Sequence, residues 1–143
     1  MRPDACNRPI LLVEDNPADL DLTLRAFRRH RLANPVEVAR DGEEALAWLP
    51  RWQAGEPLPL LVLLDLNLPR ISGLEVLRRF KEHTASRALP VVVLTTSAES
   101  RDIANAYALG ANSYIVKPVA FERFISVTAQ IKLYWCALNQ PPH

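Results

Sequence analysis

The sequence predicts an α/β fold in which a doubly wound, five-stranded parallel sheet carries helices on both faces. Three short apolar runs, at 10–13, 60–64 and 91–94, are nearly continuous, as is typical of strands that a parallel sheet buries on both sides. Segments with helical spacing of apolar residues lie between them, so strand and helix alternate along the 143 residues. That length suits one domain, 1–143, with a core from about 9 to 138.

The first half of the chain contains the clearest helix start. Asn16-Pro17, which follows the first strand, combines an N-cap residue with a proline at the first helical position, and it predicts a helix over about 17–30. A short alternating strand at 36–39 comes next, and Asp41-Gly42 opens a second helix. The stretch 51–59, which is rich in glycine and proline, is predicted as a loop into the third strand.

The second half continues the alternation. Ser72 and Glu75 form a capping box at the start of the third helix. The fourth helix, after the fourth strand, is expected to end at Gly110, since glycine is a natural helix stop. A fifth strand at 113–116 precedes a last helix over roughly 120–138, whose apolar residues share one face.

Composition and charge exclude several classes of function. The formal net charge is +1 with acids and bases interspersed, so a nucleic-acid-binding surface is not indicated. The basic cluster 28–31 is interpreted as a favourable helix C-terminus, with a partner-binding patch as the alternative. No apolar run reaches membrane-spanning length and no signal sequence is evident, so no membrane contact and a cytoplasmic location are expected. Cys6 and Cys136 lack metal-binding or redox spacing and are expected to be free thiols.

Polar side chains close four of the predicted strands. Glu14 and Asp15 follow the first strand and Asp65 the third, while Thr95 and Lys117 close the fourth and fifth. Ligands of doubly wound sheets bind at these strand ends. If the first and third strands are neighbours, three carboxylates crowd one spot, an arrangement that favours a divalent cation with a preference for hard oxygen ligands, such as Mg²⁺. The alternative is that Glu14 and Asp15 only cap the first helix.

Four motifs together resemble the receiver domain of two-component response regulators. They are Glu14-Asp15, Asp65-x-x-x-Pro69-x-x-x-Gly73, Thr95, and Tyr114-x-x-Lys117-Pro118. The resemblance extends from about Ile10 to the last helix. It implies the flavodoxin-like strand order 2-1-3-4-5 with five helices.

The resemblance implies that Asp65 is the phosphoacceptor, which takes a phosphoryl group from a phosphohistidine of a sensor histidine kinase. Phosphoryl transfer requires a positioned nucleophile and charge stabilisation, and it asks for little other chemistry from the protein. By the same resemblance, Asp15, Asp65 and the backbone carbonyl of Asn67 hold magnesium, and Glu14 acts through a metal-bound water.

The resemblance also implies which groups bind the phosphoryl oxygens. These are the Lys117 ammonium, the Thr95 hydroxyl, and the backbone amides of Asn67 and Thr96. Thr95 and Tyr114 are expected to form a switch in which Thr95 moves toward the phosphoryl group and Tyr114 changes rotamer. The alternatives are that Lys117 is a structural partner of Asp65 and that Tyr114 is a plain core aromatic.

Further features are similar to single-domain regulators that partner bacterial phytochromes. They are the segments 14–19 and 107–114, the long loop at 51–59 and the final helix. Because little follows the last helix, no output domain is expected, and the output would be a protein contact. A homodimer through the face of the fourth helix, fifth strand and fifth helix is expected, with an interface at Ile131, Tyr134, Trp135 and Leu138. Alternatively, Trp135 packs under its own N-terminal segment.

Two other functions compete with the phosphoacceptor. One is a phosphorylation-independent interaction scaffold, which the intact strand-end residues argue against. The other is a phosphatase with an aspartyl-phosphate intermediate, which usually needs an acid two residues after the nucleophile, where this chain has Asn67. We therefore expect no enzyme in the usual sense, only self-phosphorylation and slow autodephosphorylation.

Overall fold

The computed structural model describes residues 8–96, 99–117 and 121–133. The predicted interface residues Tyr134, Trp135 and Leu138 lie outside these ranges, as do both cysteines, and the side chain of Ile131 is not among those described. Within the described ranges, no helix combines the length and the apolar character that crossing a bilayer requires.

Five parallel strands form one sheet in the order β2-β1-β3-β4-β5, which confirms the predicted topology. The strands are β1 (Ile10–Val13), β2 (Val36–Ala39), β3 (Leu61–Leu64), β4 (Val91–Thr95) and β5 (Ser113–Val116). The strand order reverses between β1 and β3, so a crevice opens at the carboxyl ends of these two strands.

The five predicted helices are present, and the second is divided into two short helices. In chain order the helices are α1 (Pro17–Arg29), α2 (Gly42–Leu46), α3 (Trp48–Gln53), α4 (Gly73–Glu82), α5 (Ser100–Ala108) and α6 (Phe121–Lys132). The break at Ala47 has a local cause, because Pro50 has no N–H to donate to the carbonyl of Leu46.

The prediction that the loop begins at residue 51 was wrong, because α3 continues to Gln53. Trp52 is only 4% exposed, and its ring meets Phe80 edge to face with 5.2 Å between centroids. Burial of this large aromatic side chain against α4 stabilises helical backbone in a stretch whose composition is typical of a loop.

The sheet separates two apolar layers. Along β1, Leu11 and Val13 face the layer covered by α2 to α5, whereas Ile10 and Leu12 face the layer covered by α1 and α6. The second layer contains a stacked pair, Phe27 of α1 with Phe124 of α6, 5.2 Å between centroids. Both faces of the central strands are therefore buried, as their continuous apolar sequences predicted.

Two predicted helix caps are present. The Asn16 side-chain oxygen accepts hydrogen bonds from the amides of Ala18 (2.9 Å) and Asp19 (3.0 Å), which fixes the start of α1 beside the end of β1. Ser72 accepts a hydrogen bond from the Glu75 amide at 3.2 Å, but the Glu75 carboxylate pairs with Arg78. The capping box is thus formed in its Ser72 half.

Candidate functional site

The register of the sheet brings the predicted polar residues to one edge. Val13 is paired with Leu64, so the acids that follow these two residues emerge side by side. Thr95 is paired with Val116, and its carbonyl accepts a 2.7 Å hydrogen bond from the amide of Lys117. The expected convergence of strand ends is therefore observed.

Three carboxylates form a cluster at this edge. Glu14, Asp15 and Asp65 each offer an oxygen atom, and these atoms all lie within 4.8 Å of one another. Glu14 is 2% exposed and Asp65 is also buried, while Asp15 faces solvent. Clustered carboxylate oxygens suit a hard divalent cation, so the donor set fits the metal site that the sequence predicted.

Lys117 lies among the carboxylates at the end of β5. Its Nζ atom donates to Glu14 Oε1 at 2.6 Å, to Asp19 Oδ2 at 3.1 Å and to Asp65 Oδ2 at 3.3 Å. The lysine side chain is 12% exposed, so these ion pairs are largely shielded from solvent. The expected contact with Asp65 is present, although the shortest contact is with Glu14.

The charges of the site perturb the pKa values of two groups. Burial raises the pKa of Glu14 to about 7, the hydrogen bond from Lys117 opposes this rise, and the neighbouring Asp65 adds to it. Burial alone would lower the pKa of Lys117, but its hydrogen bond to Glu14 and the charges of Asp65 and Glu14 outweigh burial and raise it. Lys117 is therefore a fixed positive charge, whereas Glu14 exchanges a proton near neutral pH.

The carboxylate of Asp65 is held at both oxygens. Oδ1 accepts a 2.9 Å hydrogen bond from the backbone amide of Asn67, and Oδ2 accepts from Lys117. Two donors from different segments give the carboxylate a defined orientation at the mouth of the crevice. A carboxylate oriented in this way, beside a fixed cation, can act as a nucleophile toward a phosphoryl group.

The side chain of Asn67 crosses from β3 to the end of β4. Its Nδ2 atom donates to Thr95 Oγ1 at 3.3 Å and to Thr96 Oγ1 at 3.1 Å. Thr95 is buried and Thr96 is exposed. The resemblance implied a role for the Thr96 backbone amide. The contact of the Thr96 hydroxyl with Asn67 was missed, because no local pattern reveals a partner 29 residues away.

Gly73 allows α4 to begin directly against the backbone that carries Asp65. A Cβ atom at this position would lie 2.4 Å from the carbonyl oxygen of Asp65 and 2.5 Å from the Cα of Leu66. The Gly73 amide also donates to the Leu66 carbonyl at 3.1 Å. Glycine is required here by close backbone approach, which explains its place in the motif.

Arg70 and Asp19 form ion pairs with distant residues, and the sequence did not predict either contact. Arg70, which has a φ of 62°, joins the segment after β3 to α2 through ion pairs with Asp41 (2.8 Å) and Glu43 (2.7 Å). Asp19 reaches Lys117 across 98 residues of sequence. An acid in the first turn of a helix is explained by the helix dipole, so Asp19 carried no separate signal.

Tyr114 lies away from the carboxylates, on the layer covered by α2 to α5. It is buried and lines a surface cavity of about 420 Å³ together with Tyr107 and Arg123. This position agrees with either a switch residue or a core aromatic, so the proposed switch stays a prediction. The roles assigned to Asn67, Thr95 and Thr96 in phosphoryl binding are also still predictions.

The class of this protein follows from its similarity to a known family. The family model of the response regulator receiver domain matches residues 10–129, and the chain belongs to this family. Receiver domains are signalling domains that carry a divalent-metal site in an acidic pocket, which corresponds to the cluster of Glu14, Asp15 and Asp65.

Among individual proteins, the chain is similar to regulators associated with phytochromes. It is 47% identical to the bacteriophytochrome response regulator AtBRR, with a TM-score of 0.76 over 93% of this chain and 98% of that one. The phosphorylated cyanobacterial phytochrome response regulator RcpA is 37% identical, with a TM-score of 0.75 over 96% and 99% of the two chains.

Two further relatives are similar to this chain over more than nine tenths of its length. Response regulator Rcp1 of Synechocystis sp. is 38% identical over 92% of both chains, and its structure has been solved in a Mn²⁺-bound form (TM-score 0.72, 34% identity, 95% and 99% of the chains). A probable methanogenesis regulatory protein, FilR2 of Methanothrix harundinacea, is 46% identical over 93% of this chain and 86% of that protein. Two proteins that are almost equally identical to this chain are therefore named for different pathways, one for a bacteriophytochrome and the other for the regulation of methanogenesis.

Proposed function

We propose that this protein is a phosphoacceptor of a two-component system, in which Asp65 receives a phosphoryl group from a sensor histidine kinase. The observation that carries the proposal is the arrangement of Asp65 itself. Its carboxylate is buried, oriented by Asn67 and Lys117, and placed within 4.8 Å of two further acidic groups. Such an arrangement combines a nucleophile, a cation and a metal-binding donor set.

In the proposed reaction an Asp65 oxygen attacks phosphorus in line with the leaving group. The new O–P bond forms as the P–N bond of the phosphohistidine breaks, and the imidazole leaves with that electron pair. The Lys117 ammonium stabilises charge on a phosphoryl oxygen, and the Thr95 hydroxyl turns to bind another. The Asn67 amide, which donates to Asp65 Oδ1 at 2.9 Å, then donates to a phosphoryl oxygen after transfer, a role that this contact supports.

We assign the metal site to Mg²⁺, held by Asp15, Asp65 and the Asn67 carbonyl, with Glu14 contributing through water. When bound, the cation supplies positive charge against the phosphoryl oxygens. Support comes from the cluster of carboxylate oxygens and from the Mn²⁺-bound form of Rcp1. Before a metal binds, the positive charge of Lys117 partly balances the acidic cluster, because its ammonium lies 2.6 Å from the Glu14 carboxylate.

We further propose that the kinase is of the phytochrome type, since AtBRR and RcpA are named for such partners. A cytoplasmic location follows from the proposal, because the transfer of a phosphoryl group from an ATP-dependent kinase takes place in the cytoplasm. Output through a homodimer at the face of α5, β5 and α6 also belongs to the proposal. Its support is the exposed ring of Tyr107 on α5 beside the cavity that Tyr114 lines.

The test is the intact mass of the protein after incubation with Mg²⁺ and acetyl phosphate. We expect a single phosphoryl adduct on the wild type and none on Asp65→Asn. Asp21→Asn is the matched control, because Asp21 is an exposed acid of α1 that pairs with Arg25 away from the site, and it should form the adduct. Absence of the adduct from folded wild type at saturating Mg²⁺ would instead favour the phosphorylation-independent scaffold.

A further inference from the structure

The Lys117 ammonium has three N–H donors, and its Nζ atom lies within hydrogen-bond distance of three carboxylates. Glu14 and Asp65, at 2.6 and 3.3 Å, belong to the acidic cluster that fits a divalent cation. Asp19, at 3.1 Å, does not belong to that cluster, which among the described residues consists of Glu14, Asp15 and Asp65. In the part of the chain that the structure describes, Asp19 is thus the acceptor of Lys117 that neither the metal nor the phosphoryl group requires.

Asp19 is itself held in place by the start of α1. Its backbone amide donates to the Asn16 side chain at 3.0 Å, in the first turn of the helix. Its side chain is 36% exposed, compared with 2% for Glu14, so it lies at the outer side of the site. The ion pair therefore connects the capped end of α1 with the end of β5, where the lysine is carried.

We propose that Asp19 is a positioning residue that keeps the Lys117 ammonium at the phosphoryl site while the other two acids are engaged. The inference rests on the proposed function and deepens it. A lysine has a flexible four-carbon stem, so a single partner does not define the position of its charge. Asp19 supplies a second, permanent partner from a fixed helix end.

Asp19 matters because metal binding and phosphorylation would change the charges of the other two acceptors of Lys117. Glu14 belongs to the cluster that would hold the cation, and the positive charge there would weaken the attraction of Glu14 for Lys117. Phosphorylation converts the Asp65 carboxylate into an ester, and one N–H of Lys117 turns from Asp65 to a phosphoryl oxygen. Of the three original acceptors, Asp19 alone keeps its full negative charge, and its ion pair then restrains the ammonium beside the phosphoryl group.

The test compares Asp19→Ala and Asp19→Asn with Asp21→Ala, which removes an acid of the same helix that pairs with Arg25 at 3.0 Å. The rate of Asp65 phosphorylation is measured at saturating Mg²⁺ and acetyl phosphate, and Mg²⁺ affinity is measured by calorimetry. We expect Asp19→Ala to slow phosphorylation about fivefold, which corresponds to about 1 kcal/mol. Asp19→Asn, which keeps an acceptor oxygen, should fall between it and the wild type, and Mg²⁺ affinity should change less than twofold.

A double variant shows whether Asp19 acts through the lysine. In the Lys117→Ala background, where initial rates are taken from long incubations, removal of Asp19 should change the rate less than twofold. A fivefold loss that persists without Lys117, or equal rates for Asp19→Ala and Asp21→Ala, would overturn the inference and leave the proposed function intact. Wild type that forms no Asp65 adduct would overturn both. Urea unfolding confirms that each variant is folded.

Discussion

Replacement of Lys117 by methionine should destabilise the protein by an amount that depends on pH. Methionine keeps the apolar stem and removes the ammonium, so Glu14 loses its 2.6 Å partner while it stays buried beside Asp65. Removal of one member of a buried ion pair is costly because the remaining charge is uncompensated. Here the uncompensated group can take up a proton, and this sets the pH dependence.

The magnitude follows from the pKa of Glu14, which is about 7 in the folded protein and has its ordinary value of 4.5 in the unfolded chain. Folding therefore favours the protonated form, so the stability that this group contributes is fully present below 4.5 and is lost as pH rises through about 7. For the wild type at pH 8, the loss of stability is about 3.5 kcal/mol.

Without Lys117, the pKa of Glu14 rises further and the group stays neutral at pH 8. Holding it neutral there costs about 5 kcal/mol relative to the unfolded chain, so the variant loses about 1.5 kcal/mol more than the wild type. The lost hydrogen bonds to Asp65 and Asp19 add about 2 kcal/mol at any pH. We expect a total loss of about 3.5 kcal/mol at pH 8 and about 2 kcal/mol at pH 5.5, where Glu14 is neutral in both proteins.

The assay is urea unfolding, followed by circular dichroism, in the presence of a chelator. The control is Glu14→Gln in the Lys117→Met background. Without the titrating carboxyl, the loss of stability that Lys117→Met causes should be equal at pH 5.5 and pH 8. Added Mg²⁺ should reduce the deficit at pH 8, since a cation at the acidic cluster replaces the charge of the lysine. A loss in the Lys117→Met variant that is equal at both pH values, or larger at pH 5.5, would refute the reasoning.

Three further predictions test other parts of the structure. Gly73→Ala should lower the free energy of unfolding by about 1–3 kcal/mol and slow phosphorylation, because its Cβ would displace the Asp65 backbone; normal stability and rate would contradict the 2.4 Å approach. Glu14→Gln alone should remove most of the fall in stability between pH 5.5 and pH 8, measured by urea unfolding in chelator. Trp52→Ala should cost about 3–5 kcal/mol through loss of core packing, yet the protein that remains folded should still form the Asp65 adduct, as intact mass would show.

The sequence was sufficient for those features whose causes are local or follow from patterns along a strand. Continuous apolar runs predicted doubly buried strands, and their alternation with helices predicted the parallel sheet. Asn16 and Ser72 predicted helix starts because a capping side chain bonds to amides two or three residues away. Parallel strands end at the same edge of a sheet, so acids after β1 and β3 were expected to meet.

Only the tertiary structure decided the contacts that join distant segments. Trp52 lies in helix because it packs against Phe80, a partner that composition around residue 51 does not reveal. Asp19 reaches Lys117 and Asn67 reaches Thr96 because the folded chain brings their segments together, although 98 and 29 residues separate them in sequence. Strand patterns specify which residues share an edge of the sheet, but the partner of each charge depends on distances that exist only after the strands and helices have packed.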